Sequence, residues 1–504
     1  MGQAGVRRLF PVRLFSRRIF PFQIKHCEVT AVKRGYPLLS LLFTACFSLL
    51  AAAIVLQSGA ALAGAAALLL LWIPFRFSIK RYTLWLFFCS FLLQLCVILT
   101  VHTPVISDFA EMYQAAEGLL EGVMPYQTSP YFNLWPYQTG FVLWETMWLS
   151  IWNDGMILRL VHALMGAGML CLLYRYLLPM VRKAAAQAAM GLLAVFPMFF
   201  TLPLVLTNQI AGAFFIVLAV WLLACPDADR LGFWRYPAAG LSLFVSNFLR
   251  PEALAVLVAV LAWTLFSLFR EPKRWKRVLL GCMALLAVFF AAQKGADALL
   301  RATDLSPAGL ENPLPEWKFV CGLNTESSGS WSLTEFEVLE ATFDADGAPT
   351  AETKRLAREI ISQRLQMPLS EWLGLLQKKL SLLWYQRGLY WAFSHTQNGS
   401  ALRSLCYRLL EEFDRALFFL ALALAVFGLW RRKPREPNAC LPYFIVFSLA
   451  CVFLLIEVQP RYAYLPQIFL FTAAAFGIDG LYALRTEKGG QDGDASLSGD
   501  SLLQ

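Results

Sequence analysis

Long apolar stretches recur along the chain and define its predicted elements. Each is about twenty residues long, apart from a short piece at 236–249, and that is the length at which an α-helix crosses a hydrocarbon layer of about 30 Å. The stretches are continuous instead of alternating apolar with polar positions, which excludes a transmembrane β-barrel. The twelve predicted spans are 37–57, 59–75, 82–101, 156–177, 185–205, 208–225, 236–249, 251–269, 278–297, 415–430, 441–457 and 462–482. The pattern predicts an all-α polytopic membrane protein with about twelve transmembrane helices.

The apolar segment 137–153 allows two interpretations. It could be a further span, or it could be a helix that lies in the membrane interface. Trp144, Trp148 and Trp152 lie along it, and indole rings prefer the headgroup level. We therefore predict an interfacial helix.

The basic residues cluster in alternating loops, which supports that choice. If 137–153 does not cross the membrane, the positive-inside rule places every basic loop on the cytoplasmic side. These loops hold Arg76, Lys80 and Arg81; Arg175, Arg182 and Lys183; Arg230 and Arg235; Arg270, Lys273, Arg274, Lys276 and Arg277; and Arg431, Arg432, Lys433 and Arg435. The net charge of +9 therefore reflects membrane topology, and we expect no nucleic-acid partner.

Five regions follow from this topology. They are a basic cytoplasmic arm at 1–36, a transmembrane region at 37–297 with a large first outer loop at 102–155, an extracytoplasmic lobe at 298–414, C-terminal transmembrane helices at 415–484, and a disordered cytoplasmic tail at 485–504. The lobe carries an amphipathic pattern at 351–366, which predicts a helix there.

Composition agrees with the membrane class. Hydrophobic residues make up 58% of the 504 positions, charged residues make up 15%, and the mean hydropathy is +0.56. The eleven cysteines are scattered without metal-like spacing, which indicates buried structural thiols. Cys321 and Cys406 both fall in the lobe, and a disulfide between them remains an open alternative.

Asp108 is the strongest candidate for chemistry. It follows the span at 82–101 and opens an amphipathic helical pattern, with a Trp- and Tyr-rich segment at 131–140 shortly after. A carboxylate at the membrane face beside a surface helix is typical of sugar transferases that use a lipid-linked donor. The structural alternative is a helix cap, with Ser107 or Asp108 as the capping residue and Glu111 in capping-box register.

Two further charged segments fall on the same predicted face as Asp108. Arg250 lies between two apolar segments and could bind a phosphate or form an ion pair with Glu252,. The turn from Glu457 to Pro466 joins the last two spans and is rich in charged and aromatic residues; it could be a plain charged turn or part of a site. Arg461 in this turn is the second candidate for a phosphate ligand.

In order, these motifs resemble those of the type C glycosyltransferases. The resemblance rests on Asp108; on Tyr113, Ala116, Leu119 and Gly122 at three-residue spacing; on Arg159-Leu160; on Arg250-Pro251-Glu252; and on Glu457 with Arg461-Tyr462 and Pro466. The protein O-mannosyltransferase and aminoarabinose-transferase branch is the most similar. The chain departs from the family pattern in having Phe109 after Asp108, Asn208-Gln209 in place of a later acid, and an additional hairpin at 37–75.

The resemblance implies transfer of a sugar from a polyprenyl phosphate on the outer side of the membrane. Its central first-loop acid would be Asp108, with Arg250 and Arg461 binding the donor phosphate. The further candidates to support the site are Glu111, Tyr137, Glu457, Tyr462 and His395.

We therefore expect a glycosyltransferase of the cell envelope, in the bacterial plasma membrane, with its active site on the outer face and inversion at the anomeric carbon. Its partners would be a polyprenyl-phosphate sugar donor, membrane lipid and a glycan, lipid or protein acceptor. No cofactor is expected; a divalent metal is allowed but not indicated. A transporter or flippase for a lipid-linked saccharide, and a non-catalytic membrane assembly factor, are the alternatives.

Overall fold

The computed structural model describes residues 79–270, 273, 275–385, 388–396, 401–432 and 436–498. The basic arm and the predicted spans at 37–57 and 59–75 lie outside the described residues. In the described part an isolated antiparallel bridge between Phe343 and Pro349 accompanies helices and loops, so the all-α prediction is confirmed there.

The helices fall into three groups. The first group is α1 (Tyr82–Thr100), α2 (Asp108–Leu120), α3 (Pro125–Thr128), α4 (Tyr131–Leu134), α5 (Thr139–Leu149), α6 (Gly155–Leu177), α7 (Lys183–Ala194), α8 (Pro197–Thr201), α9 (Asn208–Ala224), α10 (Arg235–Leu249), α11 (Ala253–Arg270) and α12 (Trp275–Ala302). The lobe contains α13 (Glu316–Gly322), α14 (Leu333–Glu340), α15 (Ala351–Leu365), α16 (Leu369–Trp384) and α17 (Tyr390–Phe393). The last group is α18 (Ala401–Arg432), α19 (Pro437–Leu455) and α20 (Tyr464–Ser498).

Seven helices of the described part are long and apolar enough to cross a membrane, and the number reaches nine if each of two bent helix pairs is one span. The chain is therefore a multi-pass membrane protein, but the predicted count of about twelve helices is not confirmed. In α1 the buried residues recur every four positions, at Leu86, Ser90, Gln94 and Ile98. This spacing forms one packed face, and the remaining apolar surface is left for lipid.

The first bent pair differs from the single span that was predicted there. The span expected at 185–205 breaks before Pro197, where the following segment is bent by 56° from the direction of α7. Proline disfavours helical geometry in the residue before it, and Phe196 is accordingly extended.

The second bent pair consists of α9 and the segment 226–249, which is bent by 87° from the direction of α9. Within that segment, α10 packs along α9. The Ser246 hydroxyl donates to the Gly212 carbonyl at 2.9 Å and the Ser242 hydroxyl to the Phe215 carbonyl at 2.7 Å, so α9 and α10 run antiparallel. Their outer ends meet where the Asn208 amide donates to the Leu249 carbonyl at 3.1 Å.

The segment predicted to lie in the interface forms α5, which has 11 residues. At 1.5 Å per residue it is about 16 Å long, roughly half the thickness of the hydrocarbon layer, so it does not cross. Its orientation relative to the membrane stays a prediction. Gly140 lets α5 approach α10 closely, because a Cβ there would lie 1.9 Å from the Phe248 carbonyl oxygen.

The helices on either side of the lobe are longer than a membrane span requires. α12 has 28 residues and α18 has 32, about 42 and 48 Å against a layer of about 30 Å. The predicted helix at 351–366 is confirmed as α15. Cys321 is buried in the lobe, Cys406 is exposed on α18, and both thiols are free.

The two ends of the helix bundle differ in charge. We call the end that carries Thr100, Asn208 and Leu455 the site end. The opposite end gathers the basic residues predicted to share the cytoplasmic face, in the ion pairs Arg175–Asp227, Arg182–Asp479 and Arg235–Asp229. The grouping of charges is as predicted, and the side of the membrane on which each end lies stays a prediction.

The C-terminal tail differs from the predicted disorder. α20 continues to Ser498, and 499–504 lie outside the described residues. Adding a residue to an existing helix is easier than nucleating a new one, which explains why a polar tail extends the last span.

Candidate active site

Asp108 begins α2 at the site end. Ser107 precedes it with a φ of 57°, a left-handed conformation that is rare for residues other than glycine,. No side chain caps this helix, and the Ser107 hydroxyl lies 3.3 Å from the Asp108 carboxylate instead. Ser107 therefore occupies the N-cap position without a capping hydrogen bond from its side chain. Strained residues of this kind cluster at functional sites.

The Asp108 carboxylate pairs with Arg461. The Arg461 guanidinium donates to this carboxylate at 3.2 Å. The Asp108 side chain is 42% exposed, and the Arg461 side chain is 8% exposed. The Asp108 carboxylate thus remains accessible to solvent, while the Arg461 guanidinium is buried beside it. Arg461 keeps one nitrogen, Nε, buried without a hydrogen-bond partner among the described residues.

Aromatic rings hold the Arg461 guanidinium in place. Its central carbon lies 4.7 Å from the ring centre of Phe109 and 5.3 Å from that of Trp391, distances at which a cation is attracted to a ring face. Trp391 comes from the lobe, and the Thr103 hydroxyl fixes its position by donating to the neighbouring Ala392 carbonyl at 2.8 Å. The lobe therefore forms part of the wall around Asp108.

Arg250 lies beside the same turn. It ends α10, donates to Glu252 at 2.6 Å and to Asn208 at 2.9 Å, and is mostly buried. Burial alone would lower the pKa of Arg250, but Glu252 and then Tyr462 raise the pKa above its ordinary value. Both alternatives for Arg250 remain compatible with this geometry, since an ion pair with Glu252 leaves further guanidinium N–H groups for a ligand.

Tyr462 connects the two arginines. The guanidinium carbons of Arg250 and Arg461 lie 5.0 and 5.9 Å from its ring centre. The Gln209 amide donates to the Arg461 carbonyl, which anchors the turn to the start of α9. The structure therefore brings Asp108, Arg250, Arg461 and Tyr462 together at the site end.

A buried ion pair extends the site into the lobe. Lys318 of α13 lies 2.5 Å from Glu457, with side chains 30% and 2% exposed. Burial alone would raise the pKa of Glu457, but Lys318 and the Gln459 amide lower the pKa below its usual range. Gly322 allows this contact, since a Cβ there would lie 2.4 Å from the Leu455 carbonyl oxygen.

Two tyrosines of the first outer loop line this region. Loss of hydration raises the pKa of Tyr137 to about 12, which Lys318 partly opposes and Glu457 reinforces. Loss of hydration also raises the pKa of Tyr131, and the nearby Asp108 raises it further. Both hydroxyls are therefore protonated hydrogen-bond donors in the neutral pH range.

Lys379 holds the turn against the lobe from the other side. It is 1% exposed, and its ammonium donates to the carbonyls of Gly322, Leu454 and Ile456 at 2.9, 2.9 and 2.7 Å. Burial lowers the pKa of Lys379 to about 8. Three carbonyl acceptors match the three donors of an ammonium, so the charged form is well accommodated at neutral pH.

Two predicted supporting residues do not join the site. Glu111 lies three positions after Asp108 in α2, and its side chain forms no hydrogen bond or ion pair with another described residue. His395 is exposed in the lobe, where loss of hydration, Arg403 and His102 lower its pKa. It forms no hydrogen bond or ion pair with Asp108 or Arg461.

Sequence reasoning missed Lys318, Lys379, Tyr131 and the role of Trp391. The lobe residues carried no local signal, because their partners lie in other segments. Asn208-Gln209 was noted only as a departure from the family pattern, yet both side chains organise the arginines. Among the described residues, no group of three or more His, Cys, Asp or Glu residues could hold a metal ion.

Comparison with known proteins gives a limited likeness. No family model and no curated protein matches the chain. Among solved structures it is similar to the oligosaccharyltransferase AglB from Archaeoglobus fulgidus in complex with an inhibitory peptide and a dolichol-phosphate, at 15% identity and a TM-score of 0.47, over 82% of this chain and 52% of that one. The apo form of the Archaeoglobus fulgidus oligosaccharyltransferase gives 14% identity and a TM-score of 0.47, over 81% and 51%. The chain thus spans about half the length of the structures it matches.

Proposed function

We propose that this chain is a membrane glycosyltransferase that moves a sugar from a polyprenyl-phosphate donor to a hydroxyl acceptor, with the site end facing away from the cytoplasm. One observation carries the proposal. The accessible carboxylate of Asp108 pairs with Arg461 at 3.2 Å, at the end of the bundle where Arg250 and Lys318 add two further cations. A base beside phosphate-binding cations is the arrangement that this transfer requires.

Asp108 is assigned the role of general base. The acceptor oxygen attacks the anomeric carbon, the bond from that carbon to the phosphate oxygen breaks, and the acceptor proton passes to the Asp108 carboxylate. Attack from the side opposite the leaving phosphate gives inversion. The contribution of Asp108 comes mainly from its position. A base that is already held next to the acceptor does not have to be recruited from solution.

Arg461 and Arg250 are assigned to the leaving phosphate. Negative charge collects on this group as the bond breaks, and fixed cations in a partly dehydrated site stabilise that charge more than they stabilise the donor. Arg461 is 8% exposed and its aromatic neighbours restrict its motion, so little reorganisation is needed. Tyr131 and Tyr137, as protonated donors, suit the sugar hydroxyls.

The surface around Asp108 suits a lipid-bound donor. Exposed apolar side chains lie on the loop before α2, at the end of α2 and just after it, and on α5 and just after it. They are Ile106, Leu120, Val123, Met147 and Ile151, each between 39% and 69% exposed. An apolar rim next to a charged site places the polyprenyl chain in the membrane and its phosphate at the cations.

The test measures sugar transfer by purified Asp108→Asn protein with a panel of polyprenyl-phosphate sugars. The release of polyprenyl phosphate is the readout. Asn keeps the size of the side chain but removes the basic oxygen. We expect turnover to fall by about 10²–10⁴-fold with donor binding retained. Asp346→Asn, in an exposed part of the lobe, is the matched control. Near-normal transfer by Asp108→Asn would overturn the assignment and make Glu111 the next residue to test.

A transporter or flippase remains the second candidate, because the break between α7 and α8 interrupts a span. Asp414 of α18 accepts from the Met198 backbone N–H at 2.8 Å, which already satisfies part of the broken helix. Flux of a fluorescent lipid-linked sugar across proteoliposomes separates the two functions. A transporter would move the lipid at the same rate after Asp108→Asn and more slowly after Asp414→Asn, whereas the glycosyltransferase would show no flux.

A further inference from the structure

A cavity of about 270 Å³ lies at the end of the bundle opposite Asp108. It is lined by the end of α9 and the segment 225–229 after it, the first turn of α10, the second half of α11, the first half of α12 and the start of α19. The charged and polar side chains on its wall are those of Asp229, Arg235, Tyr236, Thr264, Ser267, Arg277 and Asn438. Since α10 has 15 residues, about 22 Å of helix separates Arg235 from the region of Arg250, so the cavity is not part of the candidate active site.

Two exposed tryptophans fix the depth of the cavity in the membrane. Trp234 precedes Arg235 and is 76% exposed, and Trp275 lies two residues before Arg277 and is 50% exposed. Exposed indole rings on a membrane protein concentrate at the headgroup level. The cavity therefore opens where lipid headgroups lie.

The charges at the cavity favour an anion. Arg277 is exposed and forms no hydrogen bond or ion pair with another described residue. Arg235 bonds Asp229 through one terminal nitrogen and the Tyr236 hydroxyl at 3.2 Å through the other. Two guanidinium groups thus face one carboxylate, and a guanidinium can bind a phosphate through two N–H groups at once.

The exposed apolar surface of α12 next to the cavity can bind the acyl chains of a lipid. Leu280 and Met283 of α12 are 56% and 57% exposed, one to two turns deeper in the membrane than Arg277. The volume is close to the lower limit of small-molecule pockets, so it holds a headgroup while the acyl chains lie outside along α12.

We propose that this cavity binds the phosphate headgroup of an acidic phospholipid. Arg277 and Arg235 bind the phosphate, the Thr264 and Ser267 hydroxyls face the glycerol part, and the acyl chains pack on Leu280 and Met283. Basic pockets between transmembrane helices on the cytoplasmic side bind such headgroups in other proteins by the same chemistry. The lipid would join α10, α11, α12 and α19 at the end away from the candidate active site.

The test is native mass spectrometry of the purified full chain during titration with phosphatidylglycerol or phosphatidylcholine of identical acyl chains. We expect stronger retention of phosphatidylglycerol. Arg277→Ala should weaken that binding about fivefold, the effect of one basic residue near a lipid headgroup. Lys273→Ala removes the same charge outside the cavity wall and is the matched control, with binding expected to be unchanged.

A second variant keeps every charge. Ser267→Leu fills the cavity, and it should also reduce phosphatidylglycerol binding. Equal retention of the two lipids, or unchanged phosphatidylglycerol binding in both Arg277→Ala and Ser267→Leu, would overturn the proposal. Displacement of phosphatidylglycerol by millimolar inorganic phosphate would also overturn it, because the ligand would then be free phosphate; we expect no displacement.

Discussion

Arg461 donates to the Asp108 carboxylate at 3.2 Å although 353 positions separate the two residues in the chain. The contact brings the start of the first outer loop against the turn between the last two helices. Because Trp391 of the lobe also lies 5.3 Å from the Arg461 guanidinium, three distant segments meet at one cation.

The first prediction concerns that cation. We expect Arg461→Gln to lower turnover by about 10²–10³-fold, the usual effect of removing one fixed group that stabilises charge in the transition state. Arg461→Lys should retain part of the activity, because it keeps the charge but loses the planar fork. Steady-state sugar transfer and lipid-donor binding would be measured together. Arg355→Gln, at an arginine whose side chain is 75% exposed, is the control, and wild-type turnover by Arg461→Gln would contradict the assignment.

The second prediction concerns the Lys318–Glu457 pair. Loss of either partner leaves the other charge largely buried, so Glu457→Gln and Lys318→Met should each cost about 2 kcal/mol or more. The double variant should be less unstable than the sum of the two changes. Melting temperatures in detergent for the four proteins of this cycle provide the measurement, and strictly additive losses would show that the pair is not coupled.

The pH dependence of this pair has a defined sign. Lys318 lowers the pKa of Glu457 below its usual 4.5, so the folded state binds fewer protons there than the unfolded state. The stabilisation is complete above about pH 4.5 and is lost as the pH falls through the lowered value. The melting temperature of the wild type should therefore fall more steeply than that of Glu457→Gln on acidification below pH 4.5.

The third prediction concerns Glu145 of α5, which is fully buried without a hydrogen-bond partner among the described residues. Burial raises the pKa of Glu145 well above its usual 4.5. The folded state then binds more protons than the unfolded state, and stability declines as the pH rises above 4.5. Glu145→Gln should raise the melting temperature at pH 7–8 and change it little at pH 4.5. A lower melting temperature for Glu145→Gln at pH 8 would indicate a charged partner instead.

The fourth prediction concerns sidedness. With Cys406 replaced by Ser, a cysteine at the exposed lobe position Glu352 should react with a membrane-impermeant maleimide on intact cells. A cysteine at Lys276, at the opposite end, should react only after permeabilisation. Gel-shift labelling measures both, and the reverse pattern would invert the proposed topology.

The sequence alone determined the membrane class, the positions of most spans and the grouping of basic residues at one end. These features depend on local hydropathy and on loop charge, which can be read within a window of about twenty residues. The same reasoning placed Asp108, Arg250, Arg461 and Tyr462 at one end of the bundle. Two loops lie on the same side of the membrane when an even number of spans separates them.

Only the tertiary structure decided which of these residues touch. Asp108 pairs with Arg461 only because distant segments of the chain pack together. The same packing brings Lys318, Lys379 and Trp391 of the lobe to the site. No local sequence pattern encodes these contacts. The break before Pro197 and the continuation of α20 to Ser498 have local causes instead, namely the effect of proline on the preceding residue and the ease of extending an existing helix. Hydropathy directs each helix into the membrane, and side-chain packing between helices and lobe determines the site.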